Sequence, residues 1–126
     1  MKRDEPIRTL VTRPVVKVHR EATLREAAET FTTESIGAAV VRDTDPLGVL
    51  SERDIVRALA EGADPDQERA GEVMTEEVAS VAPTELLSRT LRLMLDNEIR
   101  HLPVIEDGVV VGMLSARDVL GALADE

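Results

Sequence analysis

The sequence predicts a mixed α/β (α+β) protein built from two β-α-β-β-α copies. Three observations carry that prediction: blocks of sequence recurring in one order at nearly one offset, apolar residues at helical spacing in each copy, and an Asp-Gly turn signal between two apolar runs. Leu10 to Val18 aligns with Val73 to Val81, 63 residues later, so Thr12 falls on Thr75, Val15 on Val78 and Val18 on Val81. Ile36 to Val41 aligns with Ile99 to Val104. Leu47 to Glu61 aligns with Val111 to Asp125 at an offset of 64, which gives the second copy one extra loop residue. In that block Gly48 matches Gly112, Ser51 matches Ser115, Arg53 matches Arg117 and Asp54 matches Asp118. Self-similarity on this scale marks a duplicated supersecondary unit.

Each copy opens with a short extended segment, Val15 to Val18 and Val78 to Val81. A helix follows. In the first copy Thr23 with Glu26 three residues on forms a capping box, and Leu24, Ala27, Ala28 and Phe31 recur at helical spacing. In the second, Pro83-Thr84 is the start signal, followed by Leu87, Leu91, Met94 and Leu95. A strand comes next, Ala38 to Val41 or Leu102 to Ile105. The second copy then carries Asp107-Gly108, the pair a two-residue hairpin turn favours because both central positions need positive φ. The next strand runs from Gly48 to Leu50 or Val109 to Leu114. The closing helix starts at Ser51 or Ser115, with Ile55, Val56 and Leu59, or Val119, Leu120 and Leu123, expected to face inward.

The first repeat is thus placed at residues 1–62 and the second at 72–126. Residues 63–71, polar, acidic and broken by Gly and Pro, read as a linker. A unit of roughly 60 residues is marginal by itself. The expected solution is two repeats packed through their sheets with pseudo-two-fold symmetry.

Composition excludes several functions. The chain has no cysteine, which removes disulfides, thiolate nucleophiles and zinc–thiolate or iron–sulfur sites. Its formal charge is −10, and Phe31 is its one aromatic residue. Phosphate contacts and base stacking supply most nucleic-acid affinity, so DNA or RNA binding is not expected. No apolar run approaches the roughly 18 residues of a membrane span. The first ten residues have no signal-peptide pattern, so the expected location is cytoplasmic and the expected membrane role is none. Lysine occurs only at Lys2 and Lys17, and this acidic, lysine-poor balance fits a halophilic cytoplasm. His19 and His101 have no histidine at i+3 or i+4, so no metal site is expected. No phosphate-binding glycine loop, nucleophile pattern or acid–base pair is visible, so no catalytic residue is assigned and the protein is not expected to be an enzyme.

One polar motif recurs: Gly48-Val49-Leu50-Ser51-Glu52-Arg53-Asp54 and Gly112-Met113-Leu114-Ser115-Ala116-Arg117-Asp118. Physically it is a buried strand running into a helix N-terminus. Ser caps the helix, and the Asp three residues on lies favourably in the first turn. The same geometry suits a ligand: free N–H groups attract phosphate, Ser and Arg add donors, and a carboxylate can accept two hydrogen bonds from a ribose diol. The two readings are compatible.

The duplicated strand–motif–helix pattern, with Ile99-Arg100-His101-Leu102-Pro103-Val104 ahead of the second motif, resembles a tandem CBS (cystathionine β-synthase) domain pair, or Bateman module. The resemblance runs from about Ile7 to the C-terminus. It implies binding of AMP, ADP, ATP or S-adenosylmethionine in clefts between two repeats, as a regulatory ligand and not as a cofactor. It further implies that Asp54 and Asp118 hold ribose hydroxyls and that Ser51 and Ser115 lie at ribose or phosphate. Thr12, Val15, Thr75 and Val78 would frame the base. Ile36, Gly37, Ile99, Arg100 and His101 would line the cleft, and Arg53 and Arg117 would meet phosphate.

The copies differ at Gly37-Ala38 against Arg100-His101, which gives the second copy two more potential phosphate contacts, unless His101 is a half-buried strand residue and Arg100 a surface ion-pair partner. Glu76 and Glu77 replace Arg13 and Pro14, which disfavours polyphosphate and suits a sulfonium cation. The expected role is a stand-alone sensor, energy-sensing in kind, that forms a homodimer and signals to a target protein by conformational or partner-binding change. The alternative is a structural or oligomerisation module whose motif only caps helices.

Overall fold

The structure, a computed structural model, describes residues 1–11, 14–76 and 79–125. The expected string of elements is present in the first copy; in the second, the opening segment shows only an isolated parallel bridge of Val81 with Val104 among the described residues. The first contains β1 (Lys17–Val18), α1 (Leu24–Glu34), β2 (Ala38–Val41), β3 (Gly48–Ser51) and α2 (Glu52–Ala60). A short α3 (Ala70–Val73) and β4 (Thr75–Glu76) follow. The second copy continues with α4 (Leu87–Asp96), β5 (His101–Glu106), β6 (Val109–Ser115) and α5 (Ala116–Ala124). A 3-10 turn, Ile7–Leu10, precedes the first copy. No helix among the described residues is long and apolar enough to cross a membrane.

The chain divides into two compact units whose boundaries do not follow the order of the chain. One contains Val16–Val78, and the other contains Met1–Val15 with Ala79–Glu126. Backbone hydrogen bonds explain the division. The Leu24 amide donates to the Glu68 carbonyl (3.1 Å) and the Ala70 amide to Ala22 (2.8 Å). In the other unit the Leu87 amide donates to Glu5 (3.0 Å) and the Ile7 amide to Glu85 (2.8 Å). These pairs are related by the repeat offset, so the duplication reaches back to about residue 5. The segment before each copy closes the unit built by the other copy's body. Ile7 and Ala70, the equivalent residues, are both fully buried.

In the unit Val16–Val78 four strands lie in the order β1-β2-β3-β4. β1 runs parallel to β2, and β3 is antiparallel to both β2 and β4. Val18, Ala27, Phe31, Ala39, Val41, Leu50, Ile55 and Ala70 form its core. The Thr23 capping box is formed, with the Thr23 amide and hydroxyl both donating to Glu26 (3.0 Å each). Those two bonds hold the Glu26 carboxyl below its ordinary pKa. Between α1 and the 63–71 segment, Arg25 makes a two-pronged contact with Asp66 (Nε–Oδ1 2.6 Å), which keeps the Asp66 carboxyl below the usual range.

In the other unit β5 and β6 form a hairpin closed by Asp107 (φ 51°) and Gly108 (φ 78°), as the sequence predicts. Val104 pairs with Gly112 and Ile105 with Val110, so Val111 sits in a β-bulge, next to the stretch 105–110 that holds the second copy's extra residue. Ile7, Val81, Leu87, Met94, Leu102, Val104, Leu114, Val119 and Ala122 form the core.

Two expectations are corrected. Helix α4 begins at Leu87 with Leu86 at its N-cap, and no side chain caps it. Pro83-Thr84 lies in the preceding turn; Leu86 occupies the place that Thr23 holds in the first copy. The closing helices meet the expected face only in part: Ile55 and Val119 are buried and Leu123 packs against the core, as expected. Ile55 and Ala58, or Val119 and Ala122, point inward, whereas Val56 (65% exposed), Leu59 (45%) and Leu120 (60%) face out.

The motif glycines have a packing cause. A methyl group on Gly48 would run into the Met74 sulfur, and one on Gly112 into Cγ1 of Val11. Met74 and Val11 are themselves repeat equivalents. Gly112→Ala is therefore expected to destabilise the protein by about 1–3 kcal/mol, because branched Val11 cannot turn aside. Gly48→Ala is expected to lose less, since Met74 can adopt another rotamer. Chemical denaturation of both variants checks this; equal losses would contradict the packing explanation.

Candidate functional site

Each candidate site grows from the junction of a buried strand and a helix. β3 delivers Ser51, and its sheet pairing places Ser51 opposite Ala38. The Glu52 amide, first of α2, donates to the Gly37 carbonyl (2.9 Å). Ser51 Oγ accepts from the Asp54 amide (3.2 Å), while Asp54 Oδ2 accepts from the Ser51 amide (2.9 Å). Strand and helix are thereby joined through a reciprocal box with Asp at the third helical position.

The second copy repeats the construction. The Ala116 amide donates to the Arg100 carbonyl (2.7 Å). Ser115 Oγ accepts from the Asp118 amide (3.0 Å), and Asp118 Oδ2 accepts from the Ser115 amide (2.9 Å). His101 lies directly opposite Ser115 in the β5–β6 register. Its counterpart opposite Ser51 is Ala38, so the imidazole is a feature of the second copy only. The capping role of the motif is thus realised in both copies.

The two carboxylates differ in surroundings. Asp54 is 8% exposed, and its second oxygen, Oδ1, accepts from the Thr75 hydroxyl at 3.0 Å. Asp118 is exposed. Thr75 reaches Asp54 because β4 pairs with β3, putting Thr75 opposite Val49 and Glu76 opposite Gly48. An ionised carboxylate has about four acceptor positions. The bonds from the Ser51 amide and the Thr75 hydroxyl engage one position on each oxygen of Asp54, which leaves an acceptor position on each.

The other expected residues are placed as follows. Gly37 and Arg100 act here through their carbonyls, and the Arg100 side chain is exposed. Ile36 and Ile99 pack against the two cores, with amides donating to Phe31 and Met94 (3.0 Å each). Arg53 and Arg117 are exposed one residue before the motif Asp, and Val15 is half-buried outside any helix or strand. Thr12 and Val78 lie outside the described residues. Sequence reasoning selected Thr75 as a base-framing residue and missed its bond to Asp54. It also missed Met74 and Val11, although their matched positions one residue before the Thr75 and Thr12 pair were a usable signal.

Comparison with known proteins agrees with this construction. Residues 7–61 and 70–125 each match the CBS domain family. An uncharacterized protein of Methanocaldococcus jannaschii is 33% identical over 125 residues, covering 98% of this chain and 44% of the relative. The mitochondrial CBS domain-containing protein CBSX3 of Arabidopsis thaliana is 35% identical over 111 residues, covering 82% of this chain and 54% of that protein. The chain thus spans about half the length of these curated relatives. The solved structure of a CBS domain protein from Pyrobaculum aerophilum complexed with AMP superposes with a TM-score of 0.80 at 32% identity, covering 96% of this chain and 99% of that one. With two matched domains, two copies of the strand–motif–helix junction and this structural likeness, the chain belongs to the CBS domain family and is a tandem CBS pair, a Bateman module.

Proposed function

We propose that this CBS pair is a regulatory module that binds adenosine-containing ligands at its motif carboxylates. The observation that carries the reading is the placement of Asp54 and Asp118 at equivalent helix N-termini, each fixed by a reciprocal bond to its serine. A carboxylate held this way is preorganised to accept hydroxyl donors, and the adjoining helix N-terminus favours an anion. The AMP complex of the Pyrobaculum protein supports the ligand class. In this reading Asp54 and Asp118 take ribose hydroxyls. Ser51, Arg53, Ser115 and Arg117 serve ribose or phosphate, with Arg100 and His101 as additional phosphate partners in the second copy. Thr12, Val15, Thr75 and Val78 frame the base, and Ile36, Gly37 and Ile99 support the strand beside it. The protein acts by regulation and not by catalysis, in the cytoplasm, and transmits occupancy to a protein target.

Calorimetric titration with AMP, ADP, ATP, S-adenosylmethionine and NAD tests the ligand class. Saturable heat with at least one adenosine ligand is the expected result. No heat with any of them would favour the alternative module without a physiological ligand.

Association with a second copy belongs to the same proposal. Val56 and Leu120, equivalent positions on α2 and α5, each expose most of an apolar side chain. Apolar side chains repeated on equivalent helix faces suit contact with a second copy. Sedimentation velocity is expected to give a dimer that Leu120→Glu weakens. A wild-type monomer at tens of micromolar, about the range for a specific dimer of modest area, would overturn it.

A further inference from the structure

We infer that the homodimer pairs unlike faces, with α4 and α5 of one protomer seated on α1 and α2 of its partner. This rests on the dimer proposed above and adds which face meets which. Charge is the first observation. Arg89 and Arg92 of α4 occupy the positions that Glu26 and Glu29 hold in α1. Arg3, whose carbonyl accepts from the Ser88 amide at the start of α4, is the repeat equivalent of Asp66, which meets Arg25 at the start of α1. Equivalent positions thus carry opposite sign, and all of these residues are exposed.

The basic set is not neutralised within its own unit. Ser88 stands where Arg25 stands, so the pair that engages Asp66 has no counterpart at Arg3. Among the described residues neither Arg3 nor Arg89 meets a carboxylate. Arg92 reaches Asp96 only at 3.7 Å with both side chains mostly exposed, a pair of little strength in water. On α1, Glu26 stays ionised under its capping bonds, and Glu29 is in no ion pair among the described residues.

Side-chain size differs in the same sense, and is the second observation. Leu91 and Leu95 of α4 replace Ala28 and Thr32 of α1. Leu95 is 59% exposed, whereas the Thr32 hydroxyl folds back to donate to the Ala28 carbonyl (3.1 Å) and leaves that face low. Arg3, Ser88, Leu91, Arg92, Leu95 and Leu123 line an open groove of about 290 Å³, the seat for α1 of the partner. Large apolar side chains on the arginine-bearing face meet small ones on the carboxylate-bearing face. Pairing like faces would instead set arginine against arginine and carboxylate against carboxylate, which costs affinity. In a two-fold dimer each protomer gives one face and receives the other, so the contact is made twice.

The test reverses one face at a time and then both. One variant carries Arg89→Glu and Arg92→Glu. The other carries Glu26→Gln and Glu29→Arg, since glutamine keeps the capping bond. Sedimentation equilibrium at low salt, where these charges are least screened, reads the dimer Kd. Either reversal alone sets like charges against one another and is expected to raise Kd about tenfold or more. Combining the two brings opposite signs together again and is expected to recover at least about threefold of that loss. Single reversals that leave Kd unaltered would overturn the pairing of unlike faces while the dimer itself stands. A combined variant as weak as either reversal alone would overturn the pairing too. A monomeric wild type would overturn the dimer, and this pairing with it.

Discussion

Ile7→Ala is expected to destabilise the protein by about 2–5 kcal/mol, the range for truncating a fully buried aliphatic side chain. A residue this near the start of a chain ordinarily frays at little cost. Ile7 does not sit in such a place. It is fully buried in the core that contains Val81, Leu87, Leu102 and Val119, and its amide donates to Glu85. The segment around it is anchored further by Leu87 and Ser88 amides donating to Glu5 and Arg3. The loss should therefore appear as a lower midpoint in denaturant with an unchanged slope. A loss below about 0.5 kcal/mol, the level of a surface substitution, would mean that residues 1–15 do not belong to the unit formed by the second copy.

Asp54→Asn with Asp118→Asn is expected to abolish adenosine-ligand binding while keeping most of the stability, whereas Asp→Ala at the same positions loses both. The distinction follows from the two jobs of each carboxylate. Asn retains one carbonyl oxygen to accept the serine amide, so the cap persists. Its other end is a donor, which cannot accept a ribose hydroxyl. Each lost bond between a hydroxyl and a charged acceptor is worth about 1.5–3 kcal/mol, or roughly ten- to hundredfold in affinity. Alanine also removes the bond that each carboxylate accepts from its serine amide, at about 0.5–1.5 kcal/mol per helix, while the serine caps themselves persist. Denaturation midpoints and calorimetry on the same samples separate the two effects. An Asn variant that binds as wild type does would remove the carboxylates from the site.

Much of this fold was legible in the sequence because local chemistry determined it. Thr23 and Glu26 satisfy each other's backbone amides, Asp107-Gly108 tolerates positive φ, and Ser51 with Asp54 closes a box within three residues. None of these needs a distant partner. The repeat supplied the second instance of the motif, and aligning Thr12 with Thr75 identified the residue now found at Asp54.

What was not legible depended on distant segments. Ile7 and Ala70 differ in size, and nothing local says that each completes a core assembled from the other copy's body. Leu86 in place of Thr23 left α4 uncapped and moved its start past the Pro83-Thr84 signal. Val56, Leu59 and Leu120 face outward because Ala58 and Ala122 let the closing helices pack closely on one side, and apolar identity alone did not reveal that. The Thr75–Asp54 bond spans 21 residues and arises from the β3–β4 pairing, which a two-residue strand barely signals.

Thermal unfolding of the wild-type chain and of the Asp54→Asn, Asp118→Asn double variant, with and without millimolar AMP, ADP, ATP, S-adenosylmethionine or NAD, tests the central claim most directly. A ligand selective for the folded state stabilises it by about 2.7 kcal/mol at a hundredfold excess over Kd. For a domain of this size, that corresponds to a rise in melting temperature of several degrees, on the order of 5–15 °C. The account predicts such a rise for wild type with at least one adenosine ligand and none for the double variant. No rise with any ligand, or the same rise in both proteins, would contradict it.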